Sequence, residues 1–141
     1  MSENVTSEKI RVRYAETDQM GHAYYANYLV WMEQARSAFF RERGLPYKQV
    51  EELGFKLPVV EVGCRYKNEI KYDDLVEVRT RLGEIKRAAI KVEYEIFNAE
   101  TGVLCATGFT WHVLVGPEFK AVSIPPFLRE ILEASPVVDK A

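Results

Sequence analysis

The chain reads as an α+β protein, a five-stranded antiparallel sheet wrapped around one long helix. Three observations predict this. Apolar residues fall at helical spacing over residues 26–43. From about residue 59 to 115 the pattern becomes strand-like, with long runs of alternating apolar and polar side chains. The links within that region (KYDD, GEIKRA and NAETG) are too short for crossovers, so neighbouring strands run antiparallel.

Each element follows from its own residues. KIRVRY (9–14) alternates Ile10, Val12 and Tyr14 with charged residues, a half-buried strand that can sit at an edge or in the middle of the sheet. In the long helix Tyr28, Met32, Ala35 and Phe39 form one face, and Leu29, Trp31 and Phe40 widen it. Glu33, Gln34, Arg36, Arg41, Glu42 and Arg43 supply its polar positions, and Gly44 sits where a helix stops. So wide an apolar arc predicts burial over much of the circumference, which requires a curved sheet. LPYKQVEELG (45–54) reads as a short helix, with Pro46 near its start and Gly54 after its end. Four strands follow, at 59–70, 75–82, 89–97 and 103–115. Val76, Val78, Thr80 and Leu82 share a face, as do Ile90, Val92, Tyr94 and Ile96; in the last strand Cys105, Thr107, Phe109, Trp111 and Val113 lie on one side. A strand of about ten residues spans about 33 Å, enough to wrap a helix of similar length. PPFLREILEA (125–134) closes the chain as a helix entered through prolines.

Composition narrows the class. A length of 141 residues suits one domain, here taken as 1–141 with a core over about 8–133. With 19 basic and 21 acidic residues there is no cationic excess for a nucleic acid. No apolar run approaches the ~20 residues that cross a bilayer, so no membrane insertion is expected. The opening MSENVTSEK is polar and unlike a secretory signal, which makes a cytoplasmic address the expectation. Cys64 and Cys105 belong to no CxxC or Cys/His cluster, so no metal site is expected and both read as buried, reduced thiols.

The chemistry-bearing stretch is YAETDQMGHAYYANYLVW (14–31). Asp18-Gln19-Met20-Gly21 fits a type I turn, with Asp first and Gly last. The same residues put a carboxylate and an imidazole just ahead of a helix N-terminus. The run VRYAETDQMGHAYYANYLVWMEQAR (12–36) resembles the opening of the 4-hydroxybenzoyl-CoA thioesterase-like family of hotdog-fold proteins. The likeness lies in the Tyr-x-x-Thr-Asp stretch, the glycine three after Asp18, the aromatic pair and the step from Asn27 to Tyr28. YKNEIKYDDLVEVRTRL (66–82) and FTWHVLV (109–115) are similar to later strands of that family.

The resemblance implies a hotdog fold, assembly as a homodimer or homotetramer, and hydrolysis of an acyl-CoA substrate. It makes Asp18 the nucleophile or general base and the backbone amide of Tyr25 the group that polarises the thioester carbonyl, in a site between two subunits. Relatives linked to the Tol–Pal envelope system carry histidine where this chain has Tyr25, which points away from a histidine-assisted mechanism. The physical chemistry agrees. A helix start offers unpaired N–H groups and about half a positive charge to an oxyanion, a carboxylate can attack or activate water, and thiolate leaves without a strong acid. His22 could line the pocket. Asn27 fits a cap or a loop-ordering residue. Lys86, Arg87 and Lys91 could receive the phosphates of CoA, as could Lys67 and Lys71; a solvated hairpin tip is the plainer reading of the first three. His112 reads as a packing or interface residue, Asp73 and Asp74 as turn residues, and Glu51 with Glu52 as a solvated helix face. No metal and no cofactor are expected, CoA being part of the substrate. Two other activities fit: an enoyl-thioester hydratase or dehydratase of the same fold, using Asp18 with His22, and a non-catalytic acyl-CoA-binding module.

Overall fold

The computed structural model describes residues 4–45 and 47–133. Pro46 and residue 134, both assigned to helices above, lie outside the described residues. The elements in order are β1 (Val5–Arg11), a 3-10 turn (Tyr14–Glu16), α1 (Asn27–Glu42), α2 (Tyr47–Glu52), β2 (Val59–Tyr66), β3 (Leu75–Ile85), β4 (Ala89–Asn98), β5 (Leu104–Val113) and α3 (Pro126–Glu133). The five strands form one antiparallel sheet in the order β1-β3-β4-β5-β2. β1 therefore sits at one edge and β2 at the other.

α1 lies on one face of that sheet. Its buried residues are Tyr28, Trp31, Met32, Ala35, Phe39 and Phe40, so the wide apolar arc does face the core; Leu29 remains exposed. Opposite it lie Val76, Val78 and Thr80 of β3 and Ile90, Val92, Tyr94 and Ile96 of β4. The Met32 side chain of α1 packs directly onto Gly108 of β5. A Cβ there would stand 2.3 Å from the Met32 methyl carbon and 2.9 Å from the Gly63 carbonyl oxygen, so only glycine allows the contact. The C-terminal end of α1 is fastened by Arg43, which sequence spacing assigned to the polar side. It is buried instead, its guanidinium stacked 3.5 Å from the Phe39 ring centroid and donating to Thr6 Oγ1 and the Phe39 carbonyl. Burial lowers its pKa to about 10, which leaves it charged at neutral pH.

β5 departs from its expected orientation. Phe97 pairs with Leu104 but Ile96 with Ala106, so Cys105 is an extra, bulged residue. The bulge sends Cys105 into the core and reverses the faces beyond it. Thr110 and His112 are buried inward, while Thr107, Phe109, Trp111 and Val113 lie half-exposed on the outer face. Cations on the same face cover the aromatic rings there: Lys91 over Phe109, Lys86 over Trp111 and Arg79 over Phe97. β1 also begins earlier than expected, at Val5, because the stretch before Lys9 pairs with Val78–Arg81 of β3. Both cysteines are free thiols; Cys105 is buried and Cys64 half-buried.

Candidate active site

The stretch before α1 folds back on itself as a small hairpin. Asp18 N–H donates to the His22 carbonyl at 2.8 Å, and Tyr24 N–H to the Glu16 carbonyl at 2.8 Å, with Thr17 paired to Ala23 between them. Gly21 closes the tip, donating to the Asp18 carbonyl at 3.0 Å with φ +81°, a conformation that suits glycine. One arm of the hairpin thus carries Asp18 and the other runs straight into α1. From the Asp18–His22 pair to the Glu16–Tyr24 pair is two strand steps, about 7 Å.

The hairpin is braced from two sides. Glu16 is buried, and its carboxylate accepts from Arg13 N at 2.8 Å and Arg13 Nη2 at 3.1 Å. The segment joining β2 to β3 supplies the other side: Ala23 N–H donates to the Ile70 carbonyl at 2.7 Å, and Tyr72 N–H to the Gly21 carbonyl at 3.0 Å. Asn27 orders this loop, though not as a helix cap. Its side-chain amide donates to the Glu16 carbonyl at 2.9 Å and accepts none of the free helix amides.

Asp18 keeps the turn role expected of it. Its Oδ1 accepts from Met20 N at 2.9 Å and His22 N at 3.1 Å. Oδ2 makes no hydrogen bond to a described residue, and the side chain is exposed. One oxygen therefore fixes the carboxylate while the other has no partner among the described residues. At the helix start, the amides of Tyr25 and Ala26 donate to no described residue, whereas those of Tyr24, Asn27, Tyr28 and Leu29 are all bonded. Two unpaired N–H groups thus sit at the positive end of a 16-residue helix.

Aromatic rings surround those amides. Tyr66 of β2 donates its hydroxyl to the Tyr25 carbonyl at 3.1 Å, and its ring meets Tyr28 edge-on at 4.7 Å and Tyr25 at 6.5 Å. Burial pushes both the Tyr28 and Tyr66 hydroxyls up to about 12, so they are neutral donors at ordinary pH. Tyr66 is a candidate site residue that sequence reasoning missed; its strand shows no clear alternation, and nothing in it marks a position bordering the helix start. Beside it lies a cavity of about 300 Å³ lined by His22, Ala23, Tyr28, Tyr66, Lys67 and Asn68, among others. His22 turns from Asp18 towards Glu69, with Nε2 2.9 Å from Oε1, and Lys71 Nζ stands 3.4 Å from the other oxygen of that carboxylate.

The predicted basic residues divide between the two ends of the sheet. Lys67 and Lys71 lie at the hairpin end. Lys86 and Arg87 lie at the other, because Ala89 pairs with Val113 and Val59 with His112, whereas Tyr66 pairs with Ala106. The seven strand steps from Val59 to Tyr66 measure about 23 Å. Within one chain, then, Lys86 and Arg87 are not brought to Asp18. Lys91 faces outward over Phe109, in a concavity of about 720 Å³ that contains neither Asp18 nor Tyr25. Asp73 adopts φ +69° in the β2–β3 turn and Asp74 accepts from Lys71 N–H there, both structural. Glu51 and Glu52 are exposed. Among the described residues no group of three or more His, Cys, Asp and Glu side chains could hold a metal ion, and no helix is long and apolar enough to cross a membrane.

A family model described as the thioesterase-like superfamily matches residues 12–132, nearly the whole chain. The chain belongs to the thioesterase-like superfamily. A solved structure of a hypothetical protein, TT1821, from Thermus thermophilus is 40% identical, with a TM-score of 0.85, covering 90% of this chain and 96% of that one. The DHNA-CoA thioesterase of Staphylococcus aureus is 34% identical, with a TM-score of 0.84 and coverage of 90% and 87%. The acyl-CoA thioesterase YbgC of Haemophilus influenzae is 33% identical over 99 residues, 70% of this chain and 73% of its own length. The sheet packed on α1 is thus the hotdog fold that the resemblance implied, and the family match extends through the Asp18 hairpin, α1 and strands β2 to β5.

Proposed function

We propose that the protein is an acyl-CoA thioesterase, cleaving a CoA thioester to a free acid and CoA. The observation that carries this is the unpaired pair of amides at Tyr25 and Ala26, on a hairpin whose other arm presents one free oxygen of Asp18. In this reading the thioester carbonyl oxygen docks on the helix start. As negative charge grows on it, the Tyr25 amide and the helix dipole stabilise the oxyanion, an effect worth about 3 kcal/mol for one preorganised donor. Asp18 attacks the carbonyl carbon or takes a proton from the attacking water. CoA leaves as thiolate, and CoA is the only nucleotide needed.

The active unit is a homodimer built through β2, and a pair of such dimers makes the tetramer. β2 is an edge strand paired only with β5, and Val59, Val60 and Val62 stand exposed along it. A second copy adding its own β2 antiparallel, about a two-fold axis, continues the sheet. That pairing sets the Tyr66 end of one strand beside the Val59 end of the other. The second copy then brings its Lys86 and Arg87 turn to the Asp18 side, where the phosphates of CoA need cations. The cytoplasm, where acyl-CoA is made and used, is the compartment this activity fits.

The test is a panel of CoA thioesters assayed with a thiol-detecting dye. Release of CoA thiol from at least one member supports the reading. Loss of the enoyl absorbance of crotonyl-CoA without thiol release would show a hydratase instead, and tight binding with no turnover on any member an acyl-CoA-binding module.

A further inference from the structure

A second cavity, of about 210 Å³, opens at the other end of β2, between the middle of α1 and the start of that strand. Phe40, Pro58 and Val59 form apolar walls, and Glu33, Arg36 and Ser37 present polar groups. Arg36, Leu57 and His112 in its lining belong to a largely buried chain of hydrogen bonds that forms and backs its floor. Arg36 Nη1 lies 3.0 Å from Tyr94 Oη, Tyr94 Oη 2.7 Å from Thr110 Oγ1, Thr110 Oγ1 2.8 Å from His112 Nε2, and His112 Nδ1 3.0 Å from the Leu57 carbonyl oxygen.

The protons in this chain can run in only one direction. The Leu57 carbonyl only accepts, so the neutral His112 ring carries its proton on Nδ1. Nε2 must then accept, and the Thr110 hydroxyl donates to it. Tyr94 donates to Thr110, and the Arg36 guanidinium, which can only donate, feeds Tyr94. Every proton on the floor is committed, so the floor offers no donor to a ligand. Arg36 differs. One N–H holds Tyr94 and fixes the guanidinium against the cavity, while its other N–H groups meet no carboxylate among the described residues. A half-buried guanidinium is thus held in place without an ion pair among the described residues, even to the exposed Glu33 carboxylate in the same lining, in a space large enough for about seven water molecules.

We infer that this cavity receives the distal end of the acyl group, and that Arg36 selects acyl groups ending in a carboxylate. The inference rests on the thioesterase reading and on the β2-paired dimer, in which the cavity of one copy faces the helix start of the other. An acyl group whose carbonyl sits on the Tyr25 amide then extends into the second copy's cavity, where a planar carboxylate matches the guanidinium fork. An apolar tail of the same length finds the walls but leaves the cation without a partner.

Glutaryl-CoA and pentanoyl-CoA have the same chain length and differ in the terminal carboxylate, so they form the test. For the wild type, kcat/KM should favour glutaryl-CoA about 10- to 100-fold, the range of one charge-assisted hydrogen-bonded pair. In Arg36→Gln that ratio should fall towards one, mainly through KM, and Arg36→Lys should restore part of it; circular dichroism melts of each variant confirm the fold. A wild-type preference for pentanoyl-CoA, or the wild-type ratio persisting in a folded Arg36→Gln protein, overturns the inference and leaves the thioesterase reading standing. Cleavage of no CoA thioester by the wild type overturns both.

Discussion

His112 makes the acid sensitivity of this fold calculable. Its ring is 2% exposed at the floor of the Arg36 cavity, and its pKa is lowered from 6.5 to about 4. Burial is the main cause, since a cation there loses its hydration; the bond to the Leu57 carbonyl works against the shift, and the nearby Arg36 charge works with it. The committed protons add a structural reason. Charging Nε2 would turn the Thr110 hydroxyl away, and the reversed chain would end on Arg36, which cannot accept. Between pH 6.5 and about 4 the unfolded chain binds a proton at this residue that the folded chain refuses, so stability rises with pH through that window and falls as pH drops through it. The full difference is about 3 kcal/mol, of which about 2.5 kcal/mol is lost by pH 4.5. The assay is urea unfolding at pH 7 and pH 4.5, at one fixed protein concentration because an oligomer's stability depends on it. His112→Gln has no titrating group here, and carboxylates protonate alike in both proteins. The wild type should therefore lose about 2.5 kcal/mol more than His112→Gln between the two pH values. Equal losses would refute the argument that the floor keeps His112 neutral.

Three further outcomes follow from the packing and the edge strand. Thr110→Val strips a donor from His112 and an acceptor from Tyr94, both buried; leaving two such groups unsatisfied costs about 2–5 kcal/mol in urea unfolding, and Thr110→Ser should recover most of it. Phe39→Ala empties a fully buried site beneath the Arg43 guanidinium and should cost about 3–5 kcal/mol by the same measurement. Val62→Lys puts a charge on the exposed edge of β2 and should yield monomers in sedimentation velocity, with turnover lost alongside.

Much of this architecture was legible in the chain. The wide apolar arc of α1 required a sheet to bury it, and the short strand links required antiparallel neighbours; α1 does pack on the sheet, and the paired strands are antiparallel. The Asp18–Gly21 turn was legible because Asp and Gly each have a specific reason to occupy its first and last positions. What escaped has identifiable physical causes. Alternation tells the two faces of a strand apart but does not say which is buried, and the bulge at Cys105 turned Phe109 and Trp111 outward while carrying His112 into the core. Arg43 looked like a solvent residue because its charge outweighed its position; nothing local announces Thr6 as its partner. Tyr66 joins the site through a contact distant in sequence, and Lys86, Arg87 and Lys91 are grouped by nearness in sequence, while the sheet carries them away from Asp18 within the chain. The Arg36–Tyr94–Thr110–His112 chain spans three elements and has no linear signature.

The central claim is that the free oxygen of Asp18 acts on a carbonyl held at the start of α1. Replacing Asp18 by Asn keeps both turn bonds, because the amide oxygen can accept from Met20 and His22, and removes only the anionic oxygen. Single-turnover cleavage of the best CoA thioester by Asp18→Asn should fall by about 10²- to 10⁴-fold, with substrate affinity and thermal stability close to those of the wild type. Wild-type cleavage by that variant would assign Asp18 to the turn alone and move the chemistry elsewhere.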